Sequence, residues 1–585
     1  MNLPLPRGQT MRRFGQLSTA ASTRSGAAAL GAPATRLAML RAASSGASAK
    51  LAGSGRLRDF MPKPAVRRSA VDSGVSSELP PYLTAAELHG EGKHYYIETY
   101  GCQMNVADTE VVSAVLSGAG YLPCDTPAEA DVVLVNTCAI REGAEMRVWN
   151  RLRELRAELR KRRSASVVGV LGCMAERLKG KLLEDERLAD VVCGPDAYRE
   201  LPRLLHTATS GQAAIDVRLS LDETYADVAP VRAHRDSVSA FVSIMRGCNN
   251  MCSYCIVPFT RGRERSRDAE SISREVAALA AMGVREVTLL GQNVNSYATD
   301  SGSSSAEEDE YRLREGFASK VPPAKGSLRF AGLLARLAEA HPEVRFRFTS
   351  PHPKDFPDDL LHVIAAQPNA CESLHIPAQS GSSAVLESMR RGYDRGTYDE
   401  LIGRVRELLP EAAVSSDFIS GFCGETEENH LQTLSLLSEV KYEKAFMFAY
   451  SMREKTHAHR SLQDDVPGAI KQRRLREVID TFTPLARERN DAELGNVHIL
   501  LLEGTSKKSD EEWQGRTDTG KKVMLPRRAV SEAIGRSSEV ELKVGDYVAV
   551  RVTESISAHT LRAEPIAKTT IAQFADSRRA GHAAL

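Results

Sequence analysis

Residues 246–255 read Arg246-Gly247-Cys248-Asn249-Asn250-Met251-Cys252-Ser253-Tyr254-Cys255. Three cysteines on so short a loop can bind three irons of a cubic [4Fe-4S] cluster and leave the fourth iron without a protein ligand. An open coordination position is typical of a catalytic metal, whereas a structural metal has a complete shell of protein ligands. The spacing CxxxCxxC therefore predicts a chemically active iron–sulfur centre at Cys248, Cys252 and Cys255.

A structural zinc knuckle is the alternative interpretation of this loop. Zinc would need a fourth ligand, and the histidines on either side, such as His234 and His352, lie far away in the sequence. An aromatic residue directly before the last cysteine makes the pattern resemble that of the radical S-adenosylmethionine (SAM) enzymes. The resemblance implies that the free iron chelates the amino and carboxylate groups of SAM, and that Tyr254 borders the adenine.

The composition is that of an ordinary globular protein. A length of 585 residues allows roughly three or four domains, and 42% hydrophobic with 26% charged residues is a typical balance. No apolar run approaches the ~20 residues of a membrane span. Ten cysteines in so long a chain form a poor disulfide framework, which indicates a reducing compartment and some metal-bound thiolates.

The first 58 residues are basic and rich in serine and alanine. Nine lysines and arginines precede the first acidic residue, Asp59, which predicts that residues 1–70 form a mitochondrial transit peptide. A disordered basic tail is the alternative, and plastid or cytosolic localisation also remains open. Without these nine charges the remainder carries about −8, so a nucleic acid would have to bind local basic patches.

Three cysteines in residues 92–206 each follow a predicted strand. The strands cover residues 95–99, 131–135 and 166–171, and they lead to Cys102, Cys138 and Cys173. Because the carboxyl ends of parallel strands lie at one edge of a sheet, the three cysteines should converge. The pattern predicts an N-terminal parallel-sheet α/β domain with a second three-cysteine cluster site. The alternative is that these are buried apolar cysteines.

The rest of the chain predicts two further domains. Residues 234–490 alternate strands and helices, with strands at 240–245, 286–290, 345–349, 373–376, 414–419 and 445–449. This pattern predicts a partial (β/α)6 barrel, and the Ser- and Glu-rich residues 299–327 are predicted to be a solvated insertion. In residues 494–566 the sequence predicts short strands at 498–502, 522–525 and 547–553. Residues 567–585 are predicted to form a tail.

The two cysteine patterns in this order resemble those of the MiaB-type radical-SAM tRNA methylthiotransferases. The resemblance covers residues 92–566 and implies two [4Fe-4S] clusters, SAM as a cofactor, and a C-terminal TRAM domain, a small β-barrel that binds tRNA. By similarity, the residues that contact SAM are Tyr254, Gly291, Gln292, Ser350, His375, Gln379 and Ser380. No catalytic side chain is implied beyond the six cluster cysteines.

The implied reaction replaces the C2 hydrogen of N6-isopentenyladenosine, beside the tRNA anticodon, with a methylthio group. A carbon–hydrogen bond of adenine is not acidic enough for a side-chain base, so cofactors must supply a radical. Cys423 and Lys455-Thr456-His457 depart from the pattern of the bacterial members, which implies a eukaryotic branch of the family, and the transit-like leader adds to this the mitochondrial members. That branch implies a kinase regulatory subunit as a further partner, whereas the electron donor and the sulfur source stay open.

Three other functions remain as alternatives. Two are related methylthiotransferases that act on threonylcarbamoyladenosine or on an aspartate of a ribosomal protein. The third is a non-catalytic protein that binds a kinase regulator.

Four arginines that follow the cysteine loop are candidates for RNA contact. Because phosphates must be steered to the reactive edge, we predict that they form a tRNA-binding patch together with basic residues of the C-terminal domain. The residues concerned are Arg261, Arg263, Arg265 and Arg267, with Lys521, Lys522, Arg527 and Arg528.

Overall fold

The computed structural model describes residues 90, 92–139, 142–160, 166–184, 188–232, 236–300, 313–321 and 326–580. All of them belong to one compact unit, Glu78–Leu585. The predicted transit peptide and parts of the predicted insertion and tail lie outside the described residues. Among the described residues, no helix combines the length and apolar character needed to cross a membrane.

The N-terminal region contains the predicted parallel sheet, which has six strands. Its spatial order is β2-β1-β3-β4-β5-β6. The strands are β1 (His94–Thr99), β2 (Leu122–Pro123), β3 (Val132–Thr137), β4 (Val167–Gly172), β5 (Val191–Cys193) and β6 (Ala214–Asp216). The helices are α1 (Gln103–Gly118), α2 (Glu142–Leu159), α3 (Cys173–Leu178), α4 (Lys181–Glu184) and α5 (Leu201–Thr209).

Helices cover both faces of this sheet. Leu134 packs with residues of α1 and α5 on one face, while its neighbours Val133 and Val135 pack with residues of α2 and α3 on the other. Every residue of β3 and β4 is buried. Strands buried on both faces read as continuous apolar runs, which explains why these two were recognisable in the sequence.

The next region is a partial barrel of six parallel strands. They form two three-stranded sheets, β7-β10-β13 and β14-β15-β16. The barrel strands are β7 (Ser239–Ser243), β10 (Glu286–Leu290), β13 (Arg345–Thr349), β14 (Ser373–His375), β15 (Ala413–Ser420) and β16 (Lys444–Ala449). Two short antiparallel pairs flank them, formed by β8 (Met245–Arg246) with β9 (Arg265–Ser266), and by β11 (Ala298–Thr299) with β12 (Leu328–Arg329).

Nine helices accompany the described barrel strands. They are α6 (Val257–Thr260), α7 (Ala269–Ala281), α8 (Phe330–Ala340), α9 (Asp358–Ala366), α10 (Ser383–Ser388), α11 (Arg395–Leu408), α12 (Glu427–Val440), α13 (His457–Ser461) and α14 (Gly468–Asp491). One contiguous hydrophobic core joins the strands to residues of α7, α8, α9, α11, α12 and α14.

Part of the predicted insertion packs against the barrel instead of lying in solvent. Phe317 is buried, and its ring centroid lies 5.4 Å from that of Tyr393. The amide of Ala318 donates a hydrogen bond to the carbonyl of Gly392 at 2.7 Å. The expectation of a wholly solvated segment is therefore wrong at Phe317.

The C-terminal region is the predicted small β-barrel. Its strands are β17 (Val497–Thr505), β18 (Glu512–Thr517), β19 (Lys522–Pro526), β20 (Val530–Ser531), β21 (Glu539–Val540), β22 (Tyr547–Ser557) and β23 (Thr560–Thr569), and α15 (Ile571–Arg579) follows. Neighbouring long strands are antiparallel, and a parallel pairing of β19 with β23 closes the sheet.

The small β-barrel is docked at the amino-terminal ends of the barrel strands. Arg345, the first residue of β13, is 1% exposed and donates to the carbonyls of Ile499 at 2.7 Å and Arg516 at 3.0 Å. Arg347 donates to the carbonyls of Thr517 and Asp518, each at 2.7 Å. These contacts leave the carboxyl-terminal ends of the strands free for a site.

Replacing Arg345 with methionine should lower the free energy of unfolding by about 3 kcal/mol, because two buried carbonyls lose a charged donor. Urea denaturation measures this change. Arg336→Met is the matched control, since Arg336 is half-exposed and pairs with the exposed Glu270, and it should cost less than about 1 kcal/mol. Equal losses in the two variants would contradict the docking role of Arg345.

Candidate active site

The cysteine loop at residues 248–255 is held by backbone hydrogen bonds on both sides. The amide of Cys248 donates to the carbonyl of Gly262 at 3.2 Å, and the amide of Ser253 donates to that of Met389 at 2.9 Å. The carbonyl of Ser253 accepts from the amide of Ala458 at 2.7 Å. The loop is thereby fixed to the segment after α6, to the end of α10 and to the start of α13.

Gly247 makes the entry into this loop possible. Its φ is +74°, and a Cβ at this position would lie 1.9 Å from the carbonyl oxygen of Arg263. A residue with a side chain fits neither the left-handed backbone nor the space.

The chemistry of the three thiols suits an iron–sulfur cluster. Cys248 and Cys252 are buried, and Cys255 is partly buried. Burial, and then the neighbouring thiolates, raise the pKa of Cys248 well above its usual value; burial and Cys252 raise the pKa of Cys255 to about 12. Three thiolates can coexist here only with compensating positive charge, which the irons of a cluster would provide.

One arginine supports this set of cysteines. Arg391 is buried and donates from Nη1 to the Sγ of Cys252 at 3.3 Å and to the hydroxyl of Tyr254 at 3.4 Å. Its Nη2 donates to the carbonyl of Pro377 at 3.1 Å. A charged donor on a thiolate sulfur stabilises the anionic ligand.

The N-terminal cysteines lie together at the carboxyl edge of the first sheet. Cys102 is the N-cap of α1, Cys138 follows β3, and Cys173 begins α3. A hydrogen bond from Cys138, together with the charge of Arg261, lowers the pKa of Cys102 to about 6 despite burial. A Cβ on Gly101 would lie 2.6 Å from the Cβ of Cys138, so the two strand ends approach as closely as glycine allows.

Two asparagines behind these cysteines fix the strand ends. Asn105 donates from Nδ2 to Oδ1 of Asn136 at 3.2 Å and to the carbonyl of Thr137 at 3.0 Å. In return, Asn136 donates from Nδ2 to the carbonyl of Asn105 at 2.9 Å. The sequence analysis assigned them no role, although an asparagine three residues after Cys102 and another two before Cys138 was a visible signal.

A buried carboxylate joins the N-terminal domain to the barrel. Asp108 of α1 is 0% exposed and accepts from Arg246 at 2.8 Å and from Arg261 at 2.6 Å. Against the effect of burial, the two arginines hold the pKa of Asp108 below its usual value. Arg261 also donates from Nε to the Sγ of Cys173 at 3.1 Å. This arginine of the barrel therefore positions a cysteine of the N-terminal domain.

Packing places the two cysteine sets next to each other. Cys173 belongs to a small apolar cluster with Ala139 and with Ile256, the residue after Cys255, and Phe259 packs against this cluster. Cys102 packs in a cluster with Leu290, the last residue of β10. The carboxyl end of the sheet and the carboxyl ends of the barrel strands therefore border the same region.

The predicted RNA patch after the cysteine loop is wrong for three of its four arginines. Arg261 is bound to Asp108, Arg265 pairs with Asp196 at 2.9 Å, and Arg267 pairs with Glu275. All three are buried. They hold the domains and the loop together, and Arg263 alone of the four is exposed.

Several polar atoms near the cysteine loop are buried without a hydrogen-bond partner. They are both side-chain atoms of Gln292, Oδ1 of Asn293 and Nδ2 of Asn250. Gln292 follows Gly291 at the end of β10, and Asn250 lies between Cys248 and Cys252. Unpaired buried amides are costly, so this group fits a polar ligand such as the predicted cofactor.

The other predicted cofactor residues lie at strand ends, in varied surroundings. Ser350 and Gln379 have left-handed backbones, with φ of +62° and +71°. His375 contacts Ser415 Oγ at 3.0 Å and Asp417 at 3.3 Å. Ser380 is buried, and its hydroxyl lies 3.3 Å from that of Thr433. Their contact with SAM stays a prediction.

In the described ranges, no three histidine, cysteine, aspartate or glutamate side chains converge on a point where one metal ion could bind. A [4Fe-4S] cluster makes a different demand, because each cysteine binds a different iron.

Two family models match the chain. The one described as Uncharacterized protein family UPF0004 matches residues 94–194, and the Radical SAM superfamily matches residues 242–437. The first match contains Cys102, Cys138 and Cys173, and the second contains the cysteine loop.

Curated relatives match most of the chain. It is 49% identical over 527 residues to mitochondrial tRNA methylthiotransferase CDK5RAP1 of Rattus norvegicus, covering 90% of each chain. It is 51% identical over 524 residues to the Homo sapiens protein of the same name, covering 86% of this chain and 87% of that one. It is 50% identical over 462 residues to tRNA-2-methylthio-N(6)-dimethylallyladenosine synthase of Amoebophilus asiaticus, covering 79% and 90%.

Replacing Gly247 with alanine should displace the cysteine loop, and we expect the purified protein to contain clearly less iron than the wild type. Iron and acid-labile sulfide assays measure this loss. Gly283→Ala is the matched control, because Gly283 also has a positive φ of +88° but open space around its Cβ position. It should cost about 1 kcal/mol of stability and leave the iron content unchanged. Full iron content in Gly247→Ala would contradict the role given to this glycine.

Proposed function

Because the chain belongs to the family of tRNA methylthiotransferases, we propose that it replaces the C2 hydrogen of N6-isopentenyladenosine, beside the tRNA anticodon, with a methylthio group. The observation that carries this proposal is that the two three-cysteine sets border one apolar cluster, which contains Cys173 of one set and Ile256, the neighbour of Cys255 of the other. The substitution joins sulfur to an unactivated ring carbon. The radical that activates this carbon and the sulfur that is added must therefore be supplied in one place. The chain would thus be a tRNA-2-methylthio-N6-dimethylallyladenosine synthase.

The cofactors, two [4Fe-4S] clusters and SAM, supply the radical and the methylated sulfur when they are bound. In this proposal Cys248, Cys252 and Cys255 hold one cluster, and Cys102, Cys138 and Cys173 hold the other. Each set leaves one coordination position open for a ligand other than the protein. Arg391 donates a charged hydrogen bond to the Sγ of Cys252, and Arg261 donates one to the Sγ of Cys173. Each hydrogen bond would orient its cysteine as a ligand of the cluster.

The unpaired amides of Gln292, Asn293 and Asn250 would bind the polar groups of SAM. Tyr254, whose hydroxyl accepts from Arg391 and whose ring lies edge-on to Phe422, would border the adenine. Burial of Cys248 and Cys252 keeps water from the reacting region, which protects a reactive radical.

The RNA partner is the anticodon stem-loop of tRNA, and its target base must turn out of the stack to reach the site. In the C-terminal barrel, Arg527 lies 4.7 Å from the centre of the Trp513 ring, an arrangement suited to RNA contact. We place the protein in mitochondria, since two relatives are named as mitochondrial and the N-terminal segment is basic. A protein electron donor, a sulfur source and a kinase regulatory subunit are further proposed partners.

Replacing Cys252 with alanine should abolish the modification, because the loop then cannot hold its cluster. Mass spectrometry of mitochondrial tRNA nucleosides, from cells that carry only the variant, should reveal no 2-methylthio-N6-isopentenyladenosine and an accumulation of the unthiolated precursor. Cys371→Ala is the matched control, since Cys371 is equally buried but outside both sets, and its product should be normal.

Normal methylthiolation in Cys252→Ala would refute the assignment of the cysteine loop. A nucleoside profile that does not change when the gene is deleted would instead favour the threonylcarbamoyladenosine or ribosomal-protein reaction, or a non-catalytic role.

A further inference from the structure

A group of exposed and partly exposed basic residues lies near the two cysteine sets. We call Lys179, Arg390, Lys455, His457 and Arg460 the cationic strip. Arg390 contacts Nε2 of His457, and Lys455 donates to the carbonyl of Arg177 at 3.1 Å, beside Lys179. The strip therefore brings together the end of α3, the residue before Arg391 and the start of α13.

Two residues of the strip adjoin the proposed reaction site. The guanidinium of Arg460 lies 5.4 Å from the centre of the Phe259 ring, and Phe259 packs in the cluster that contains Cys173 and Ile256. Arg390 precedes Arg391, which donates to Cys252. A ligand on the strip would thus pass over both sets of cysteines.

The charges of the strip are largely uncompensated within the protein. Among the described residues, no carboxylate lies within ion-pair distance of Arg390, Lys455 or Arg460, whereas Lys179 pairs with Glu176 at 3.1 Å. Burial and then Lys179 lower the pKa of Lys455, and the carboxylates of Glu176 and Glu454 offset only part of this effect. Burial and then Arg460 lower the pKa of Arg390. Cations held so close repel one another, and an anionic ligand would remove this cost.

Three residues of the strip also have an unfavourable backbone. Lys179, Arg390 and Lys455 have φ values of +51°, +58° and +72°. They are three of the six described non-glycine residues with a positive φ. Strained backbone of this kind is concentrated at functional sites, because the surrounding structure must maintain it.

We propose that the cationic strip binds phosphates of the tRNA anticodon stem-loop next to the target base; this inference rests on the proposed function. Several cations in a row match the repeated charges of a nucleic-acid backbone. The ring of Phe259 with Arg460 adds an aromatic and guanidinium surface on which a base can stack. Because the chain without its first 58 residues is acidic overall, RNA needs such a local patch. The strip takes the role that the buried arginines 261, 265 and 267 cannot fill.

The test is the double variant Lys455→Gln/Arg460→Gln in the reconstituted holoenzyme. Fluorescence anisotropy with an anticodon stem-loop that carries N6-isopentenyladenosine gives Kd at several salt concentrations. We expect binding at least about 10-fold weaker, and a slope of log Kd against log salt reduced by about 2, since two phosphate contacts are lost. Lys455→Arg/Arg460→Lys, which retains both charges, should keep the wild-type salt slope.

The matched control is Arg274→Gln/Arg476→Gln, which removes two exposed cations from the outer helices α7 and α14. It should leave both Kd and the salt slope unchanged. Equal iron content and melting temperature in all variants exclude a folding defect as the cause.

Unchanged Kd and salt slope in Lys455→Gln/Arg460→Gln would overturn the inference while leaving the proposed function intact. Normal RNA binding combined with slow turnover on a protein reductant, but normal turnover with dithionite, would also overturn it and assign the strip to an acidic electron donor. A wild-type protein that does not bind the stem-loop would contradict both this inference and the proposed function.

Discussion

The arrangement of the site depends on one buried interaction, the contact of Asp108 with Arg246 and Arg261. The carboxylate comes from the N-terminal domain and both guanidinium groups come from the barrel. The group balances its charges further, because Arg246 also lies 3.6 Å from Glu223 and 4.7 Å from the centre of the Tyr225 ring. Removing one member of such a buried group typically costs about 3–5 kcal/mol. The interaction thus fixes the distance between the two domains. Because Arg261 also binds the Sγ of Cys173, the same interaction fixes the position of that cysteine.

Arginines perform two opposite tasks around this site. Arg261, Arg265 and Arg267 are buried and paired with carboxylates, so their charge is used inside the protein. Arg390 and Arg460 lie at the surface, near other cations. The first group determines where the cysteines lie, and the second provides an attractive field for an anionic substrate. Both are needed if a large, charged RNA is to present one base to a buried reaction centre.

Much of the architecture could be predicted from the sequence. Residues 132–135 form an apolar run within β3, a strand that is buried on both faces, and β10 spans Glu286–Leu290 as predicted. Because parallel strands end at one edge of a sheet, the sequence also predicted that Cys102 and Cys138 lie close together, and their side chains interact in the structure. The interactions between domains were not predictable, because Asp108 is separated from its two arginines by 138 and 153 residues. Charge alone does not reveal whether an arginine is buried, which is why the patch after the cysteine loop was misassigned. The Ser- and Glu-rich composition of residues 299–327 likewise gave no sign that Phe317 packs against the barrel.

The most direct test of this account is a pulsed electron paramagnetic resonance measurement of the magnetic interaction between the two reduced clusters, in the wild type and in Asp108→Asn. If Asp108 holds the two cysteine sets close together, the wild-type spectrum should contain a strong spin–spin coupling. In Asp108→Asn, where two buried arginines lose their shared carboxylate, the coupling should be weaker or broadly distributed. A wild-type protein with two clusters and no coupling, or identical coupling in Asp108→Asn, would contradict the account.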